Sequence, residues 1–303
     1  MKLKDFITLF SLAALWGASF LFIKIASPVL GPVLTIEARV IIAGVVLLIY
    51  LVATHKKLDL KSRWKQYLIL GIFNAAIPFT FIAMAALYLN ASLSAILNSL
   101  TPLFTALVAW GWMKEKMTLK KIFGFLMGII GVLILVGWSP ISFTSEVIIS
   151  VILSILATVS YGFAGVYSKK AFEGVSPLSL ATGQQLGAAV ALLPFTLFHL
   201  PRSLVSVSPI VIFSVIGLAI FCTSIAYLLY FYLISSIGPT PTLTVTLLVP
   251  LFGMIWGSVF LNEHISISMI IGLLTILSSV LLISNIQVPS SRRMGKNVAK
   301  RMR

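Results

Sequence analysis

Ten apolar stretches, each about as long as a bilayer is thick, follow one another along this chain with only short polar breaks between them. They cover residues 6–26, 33–53, 67–89, 91–113, 121–138, 147–168, 178–198, 210–234, 239–261 and 265–286. A membrane-spanning helix needs about 20 consecutive, mostly apolar residues. A soluble fold has no way to hide ten of them, because much of any globule stays wet. The chain is 59% hydrophobic and only 10% charged, where an ordinary soluble domain carries about 25% charged residues. The expectation is an all-α integral membrane protein with ten transmembrane helices. The breaks fit: Gly31-Pro32 and Ser176-Pro177 place a proline in the first turn of a helix. Asn90-Ala91-Ser92, Ser139-Pro140 and Ser208-Pro209 are turn sequences.

The charges orient these spans. A net charge of +15 raises the question of nucleic acid, but the basic residues sit in clusters between apolar runs, where they act as topology signals. No nucleic-acid partner is expected. With both termini on one side, that side holds Lys2 and Lys4; Lys56, Lys57, Lys61, Arg63 and Lys65; Lys114, Lys116, Lys120 and Lys121; and Lys169 and Lys170. It also holds Arg292, Arg293, Lys296, Lys300, Arg301 and Arg303 of the tail. The other side holds Arg202 alone, with Lys24 and Arg39 inside spans. Positive charge marks the cytoplasmic side, so cytoplasmic N- and C-termini are expected. The basic tail, 287–303, reads as a cytoplasmic anchor that also meets anionic membrane lipid.

The spacing of rarer residues reveals a repeat. Gly17, Lys24 and Pro32 recur 145 positions later as Gly162, Lys169 and Pro177, and Gly71 recurs at 146 as Gly217. Pro102-Leu103-Phe104, Glu115 and Gly124 recur at 148 as Pro250-Leu251-Phe252, Glu263 and Gly272. Two units follow, 1–140 and 146–286, with five helices each. Five is odd, so the second unit enters the membrane upside down, giving two inverted five-helix repeats, an architecture of secondary transporters. Lys2 and Lys4 before an apolar run also fit a signal peptide. Helix 1, however, is the counterpart of internal helix 6, which makes it part of the fold.

These motifs carry a family resemblance. Trp16-Gly17-Ala18-Ser19-Phe20 leading to Lys24, and the Pro102, Glu115, Gly124 spacing with Gly128 and Gly131 behind it, resemble the drug/metabolite transporter superfamily in its ten-helix EamA-type branch. The resemblance covers nearly the whole chain, although Tyr161 replaces tryptophan in the second copy of the opening motif. It implies a carrier of the bacterial inner membrane, with amino acids or related small molecules as substrates and export as the direction.

Site candidates are polar or aromatic side chains near helix centres with a partner in the other half. Asn98 and Thr101 lie on one face with Ser94 and Thr105, and Ser94 and Asn98 are matched by Thr242 and Thr246 in helix 9. Helix–helix hydrogen bonding is the alternative role for such residues. Pro102 and Pro250 are expected to kink their helices and free a carbonyl. Trp16 pairs with Tyr161 and Phe81 with Tyr227 across the repeat; Thr223 lies on the face of Tyr227, and Asn74 is a further candidate on helix 3. Three charged residues lie within spans, Lys24, Glu37 and Arg39. Ionisable groups at such depth default to a functional hypothesis, such as meeting a substrate carboxylate; pairing of Arg39 with Glu37 is the structural alternative. Glu115 and Glu263 read as caps or gate braces. Gly124 and Gly128 form a GxxxG step suited to close helix packing.

Several function classes lack the residues they need. No Walker A, G-x-S-x-G or H-E-x-x-H pattern occurs, and His55, His199 and His264 all fall at span ends. The single cysteine, Cys222, supports neither an intramolecular disulfide nor a cysteine metal cluster. No enzyme activity, cofactor or metal is expected. Two alternatives remain within transport: uptake or exchange of a nucleotide-like or cofactor metabolite, and small-multidrug efflux, which calls for a buried carboxylate.

Overall fold

The computed structural model describes residues 2–138, 144–198 and 207–283. The Ser139-Pro140 break, His199, Arg202 and the basic tail lie outside the described residues. The first half contributes α1 (Leu3–Leu30), α2 (Pro32–Ala53), α3 (Leu60–Ala85), α4 (Ala91–Met113) and α5 (Leu119–Gly137). The second contributes α6 (Ser145–Ala171), α7 (Pro177–Phe198), α8 (Pro209–Ile237), α9 (Val245–Leu261) and α10 (Ile267–Ile283). A one-turn helix, Pro239–Thr242, precedes α9. α9 and α10 have 17 residues each, and the other eight helices are long and apolar enough to cross a membrane. Large apolar side chains such as Phe123, Leu133, Phe213 and Val259 point outward, as hydrocarbon solvent permits.

Three helices are interrupted. α3 contains a π-helical segment at Ile72–Ala76 and α8 one at Ile220–Ile225. Such one-turn register slips concentrate at functional sites. α4 is broken at Ser99 and Leu100, so Pro102 stands near the start of the second segment rather than in mid-helix. Pro250 does lie inside α9, and the break in that span comes earlier, at Leu243 and Thr244.

The helices pack as a pseudo-twofold pair of units, visible at single contacts. A Cβ placed on Gly17 of α1 would stand 2.7 Å from Phe252 Cβ of α9; one on Gly162 of α6 would stand 3.0 Å from Phe104 of α4. These are repeat mates. On the opposite side of the bundle Gly124 faces Ser279 and Ile283, while Gly272 faces Gly131 and Leu135, each contact being the other shifted by 148 positions. The α5–α10 pair is thus a close glycine-mediated crossing of the kind the GxxxG step announces. α2 packs on α7 at the axis, with α3 against α7 and α8 against α2.

Call the face that carries the start of α1 and the α2–α3, α4–α5, α6–α7 and α8–α9 connections the basic face, and its opposite the far face. Burial differs between them. Every residue of α4 from Ala91 to Leu97, in its far half, is buried, whereas Asn98, Thr101, Phe104 and Thr105 towards the basic face are half-buried.

Candidate functional site

The α2–α7 crossing brings polar groups to the centre of the bundle, flanked by both π segments. Arg39 of α2 is 5% exposed. Its Nε donates to Thr223 Oγ1 at 2.9 Å, and its guanidinium lies 3.6 Å from the centroid of the Phe79 ring. A buried guanidinium favours such a face. Thr223 sits in the π segment of α8, where its hydroxyl bonds back to the Leu218 carbonyl at 2.8 Å, five residues earlier, a reach that the widened turn supplies. Across the axis Gln184, the repeat mate of Arg39, is fully buried. Its Oε1 accepts from Asn74 Nδ2 at 2.7 Å, and its Nε2 donates to the Tyr227 hydroxyl at 2.5 Å. Asn74 lies in the π segment of α3. Tyr161 stands edge-on to Phe79, with ring centroids 6.3 Å apart.

Five sequence candidates therefore come together here: Arg39, Asn74, Tyr161, Thr223 and Tyr227. Gln184 and Phe79 join them. Spacing marks Gln184 only as the counterpart of Arg39, and Phe79 carries no signal beyond lying two residues from Phe81. Gln185 sits beside the Tyr227 hydroxyl, yet neither of its amide atoms has a partner at hydrogen-bonding geometry. Thr80 Oγ1 and Asn98 Oδ1 are likewise buried and unpaired. Buried polar atoms ordinarily find partners, so the unpaired Gln185 amide beside Tyr227 is recognition capacity to spare.

The remaining candidates make other contacts, although Trp16 and Phe81 border the same apolar cluster as Phe79 and Tyr161. Trp16 packs on Tyr230, ring centroids 5.6 Å apart. Thr101 Oγ1 takes the Asn98 carbonyl at 2.8 Å. That is the carbonyl Pro102 leaves without its helical donor, so α4 heals its own proline break. In α9 the mate of Thr101 is Val249, which has no hydroxyl to offer. Thr246 turns its hydroxyl to the Leu243 carbonyl across the break.

Of the in-membrane charges, Lys24 is committed to protein: its Nζ donates to the carbonyls of Ala86 and Leu89 at 2.7 and 2.8 Å, closing the end of α3. Glu37 does not pair with Arg39; it is 3% exposed and both carboxylate oxygens lack partners. Two positions apart on a helix, the two side chains leave on different faces. Among the described residues the only ion pair within 4.0 Å is Lys121 with Glu115 at 3.6 Å, so Arg39 has no carboxylate partner there. Nor does any group of three or more metal-ligating side chains occur among the described residues.

Two inverted five-helix units around a polar, aromatic-walled centre are the build of a membrane transporter. The EamA-like transporter family matches the chain twice, over residues 4–137 and 148–285; the chain belongs to this family, within the drug/metabolite transporter superfamily. Relatives span its length. An uncharacterized transporter of Bacillus subtilis, YvbV, is 26% identical over 284 residues, 93% of this chain and 92% of its own. An uncharacterized transporter of Archaeoglobus fulgidus is 23% identical, over 89% of this chain and 95% of its own. Protein PecM of Dickeya dadantii is 24% identical, over 97% and 96%. A crystal structure at 18% identity superposes with a TM-score of 0.66 over 97% of this chain and 99% of that one, which shows the same fold.

Proposed function

We propose that this transporter is an alternating-access exporter of amino acids or closely related small metabolites, acting in the bacterial inner membrane with both termini and the basic face in the cytoplasm. The orientation rests on the lysine and arginine asymmetry. The substrate class rests on one observation above the rest: Arg39 is a buried cation with no carboxylate partner among the described residues. An isolated buried charge is costly and calls for a counter-charge. A guanidinium already held by Thr223 and Phe79 offers its remaining N–H groups as a fork that matches a carboxylate. Asn74, Gln184, Gln185 and Tyr227 supply donors and acceptors for the polar remainder of a zwitterion, and Phe79 and Tyr161 an apolar wall. Rocking of the two repeats about this midplane site would expose it to each face in turn.

Glu37 favours a second reading, efflux of small cationic compounds, because its buried carboxylate is equally unpaired. A thermal-shift screen of the detergent-purified protein separates the two. A ligand at 100 times its Kd adds about 2.7 kcal/mol to stability. Amino acids should stabilise the protein, their decarboxylated amines should not, and Arg39→Gln should remove the shift. Stabilisation by cationic dyes alone, abolished by Glu37→Gln, would replace the amino-acid reading with the multidrug one.

A further inference from the structure

The repeat places one glutamate at each face by the same backbone device, yet the two do different things. Lys114 and Asn262, which end α4 and α9, both adopt left-handed conformations, with φ of 54° and 55°. The amides that follow, of Glu115 and Glu263, bond to the mate carbonyls of Ala109 and Gly257 at 3.3 and 3.1 Å. At the far face the Glu263 carboxylate then reaches the start of α4. It accepts from the Ala91 amide at 2.6 Å, the Ser92 amide at 3.0 Å and the Ser92 hydroxyl at 2.6 Å. Lys24, within electrostatic reach of Glu263, holds the two carbonyls just before it. The α3–α4 turn is thus clamped at its negative and positive backbone ends at once, by α1 and α9.

At the basic face the mates, Lys169 and Glu115, are both exposed. Glu115 pairs with Lys121 of its own hairpin, and among the described residues Lys169 has no ion-pair partner within 4.0 Å. Two substitutions in the repeat account for the difference. Gly257 makes room for the Glu263 carboxylate, since a Cβ there would collide with Oε2; its mate is Ala109, whose methyl fills that room. Ala91 supplies an amide donor; its mate is Pro239, which has none.

We propose that Lys24 and Glu263 are the far gate of the transport cycle, and that Ala109 and Pro239 keep the basic-face counterpart weak, so that the empty carrier rests closed at the far face and loads from the basic face. The burial of α4 is graded in the same sense, complete from Ala91 to Leu97 and partial from Asn98 on. The proposal presupposes alternating access but names no substrate.

The test is a pair of spin-label distance distributions on the substrate-free protein in lipid nanodiscs. One pair goes on Tyr88 and Ile265 at the far face, the other on Ser235 and Lys116 at the basic face, all exposed; buried Cys222 stays unlabelled. The unmutated gate should give a single short far-face distance. Glu263→Gln should shift the closed-to-open ratio at the far face by about tenfold or more, the change expected for losing hydrogen bonds to a charged group, with Lys24→Met acting in the same direction. Ala109→Gly combined with Pro239→Ala should act as a gain, raising the fraction closed at the basic face. Distances unchanged by Glu263→Gln and Lys24→Met in folded protein, or a far face already open in the unmutated gate, would overturn the proposal. Because no substrate is added, failure of the amino-acid reading leaves this outcome intact, and the reverse also holds.

Discussion

The two halves of this transporter agree at the glycine crossings of α5 with α10 and of α1 and α6 with α9 and α4, and disagree where a ligand would be held. Gly124 meeting Ser279 and Ile283 is the same contact as Gly272 meeting Gly131 and Leu135, and Gly17 on Phe252 is the same contact as Gly162 on Phe104. At the centre the mates part company: Arg39 faces Gln184, Thr223 corresponds to Ile77, Tyr227 to Phe81 and Asn74 to Ile220. A carrier that alternates between two related states needs a backbone that packs equally well either way up. A small metabolite, such as the zwitterion proposed as substrate, has no twofold symmetry, so a site for it has no use for one. Scaffold symmetry and site asymmetry are therefore separate requirements, and each can be tested by changing one member of a mated pair.

The largest effect should come from a pair whose packing is unequal despite the repeat. A Cβ at Gly71 would run into the Ala188 amide and the Gln184 carbonyl, with Gly187 at 2.7 Å, all backbone of α7. Its mate Gly217 faces the ring of Phe22 at 3.1 Å, and a ring can turn away. Overpacking against backbone costs about 1–3 kcal/mol. Gly71→Ala should fall at or beyond the upper end of that range and lower the yield of folded protein, while Gly217→Ala should stay below about 1 kcal/mol. Tm values in detergent measure the difference; equal losses would mean that α3–α7 contact is no tighter than α8–α1.

Next in size is the charge at the axis. Arg39→Gln places glutamine at both mated positions and should weaken binding of a carboxylate substrate by about 100-fold, taking the charged hydrogen bonds it removes at the upper end of about 1.5–3 kcal/mol. The double change Arg39→Gln with Gln184→Arg moves the charge across the axis. It should not restore binding, because the mates of Thr223 and Phe79 are Ile77 and Ile225, which offer a guanidinium neither an acceptor nor a ring. Isothermal titration with the best ligand of the thermal screen reads both variants. Full rescue by the swap would mean that only the charge matters and that the asymmetric surroundings do not.

These pairs also explain what a reader of the sequence can and cannot see. The ten spans and the repeat are readable because both are written in features that single residues carry: apolar length, glycine and proline at fixed spacing, and charge in the breaks. Asn74, Tyr161, Thr223, Tyr227 and Arg39 are readable as polar or aromatic residues out of place in hydrocarbon. Their company is not. The π segments at Ile72–Ala76 and Ile220–Ile225 are register slips of the hydrogen-bond ladder with no compositional mark, and they turn Asn74 towards Gln184 and Thr223 towards Arg39. Lys24 shows the opposite case. As a lone lysine in a span it invites a ligand, but its reach to two carbonyls of α3 depends on how α1 and α3 cross, which spacing does not encode. Pro102 reads as a mid-helix kink because the break two residues before it is healed by backbone and Thr101, not by a turn sequence.

The smallest effect, and the finest test of site asymmetry, lies in one hydroxyl. Tyr227 accepts from Gln184 Nε2 at 2.5 Å, and Gln184 in turn accepts from Asn74. Tyr227→Phe strands the Gln184 donor in a buried position at a cost of about 1–3 kcal/mol, part of which the Gln185 neighbourhood can offset by repacking. The expected outcome is a loss of substrate affinity of roughly fivefold to tenfold, near 1 kcal/mol by the usual relation between affinity and free energy, together with a Tm lowered by about 2–4 °C for each kcal/mol that the stranded donor costs. Phe81→Tyr at the mated position adds a hydroxyl beside an apolar cluster where no amide chain waits, and affinity should change by less than about twofold. Combining the two substitutions keeps the count of hydroxyls at the centre while moving one across the axis. If affinity then returned, the chain from Asn74 through Gln184 to Tyr227 would be dispensable and the centre would be symmetric in function after all. If it stayed low, the amide chain from Asn74 of α3 through Gln184 of α7 to Tyr227 of α8 has no working mate across the axis.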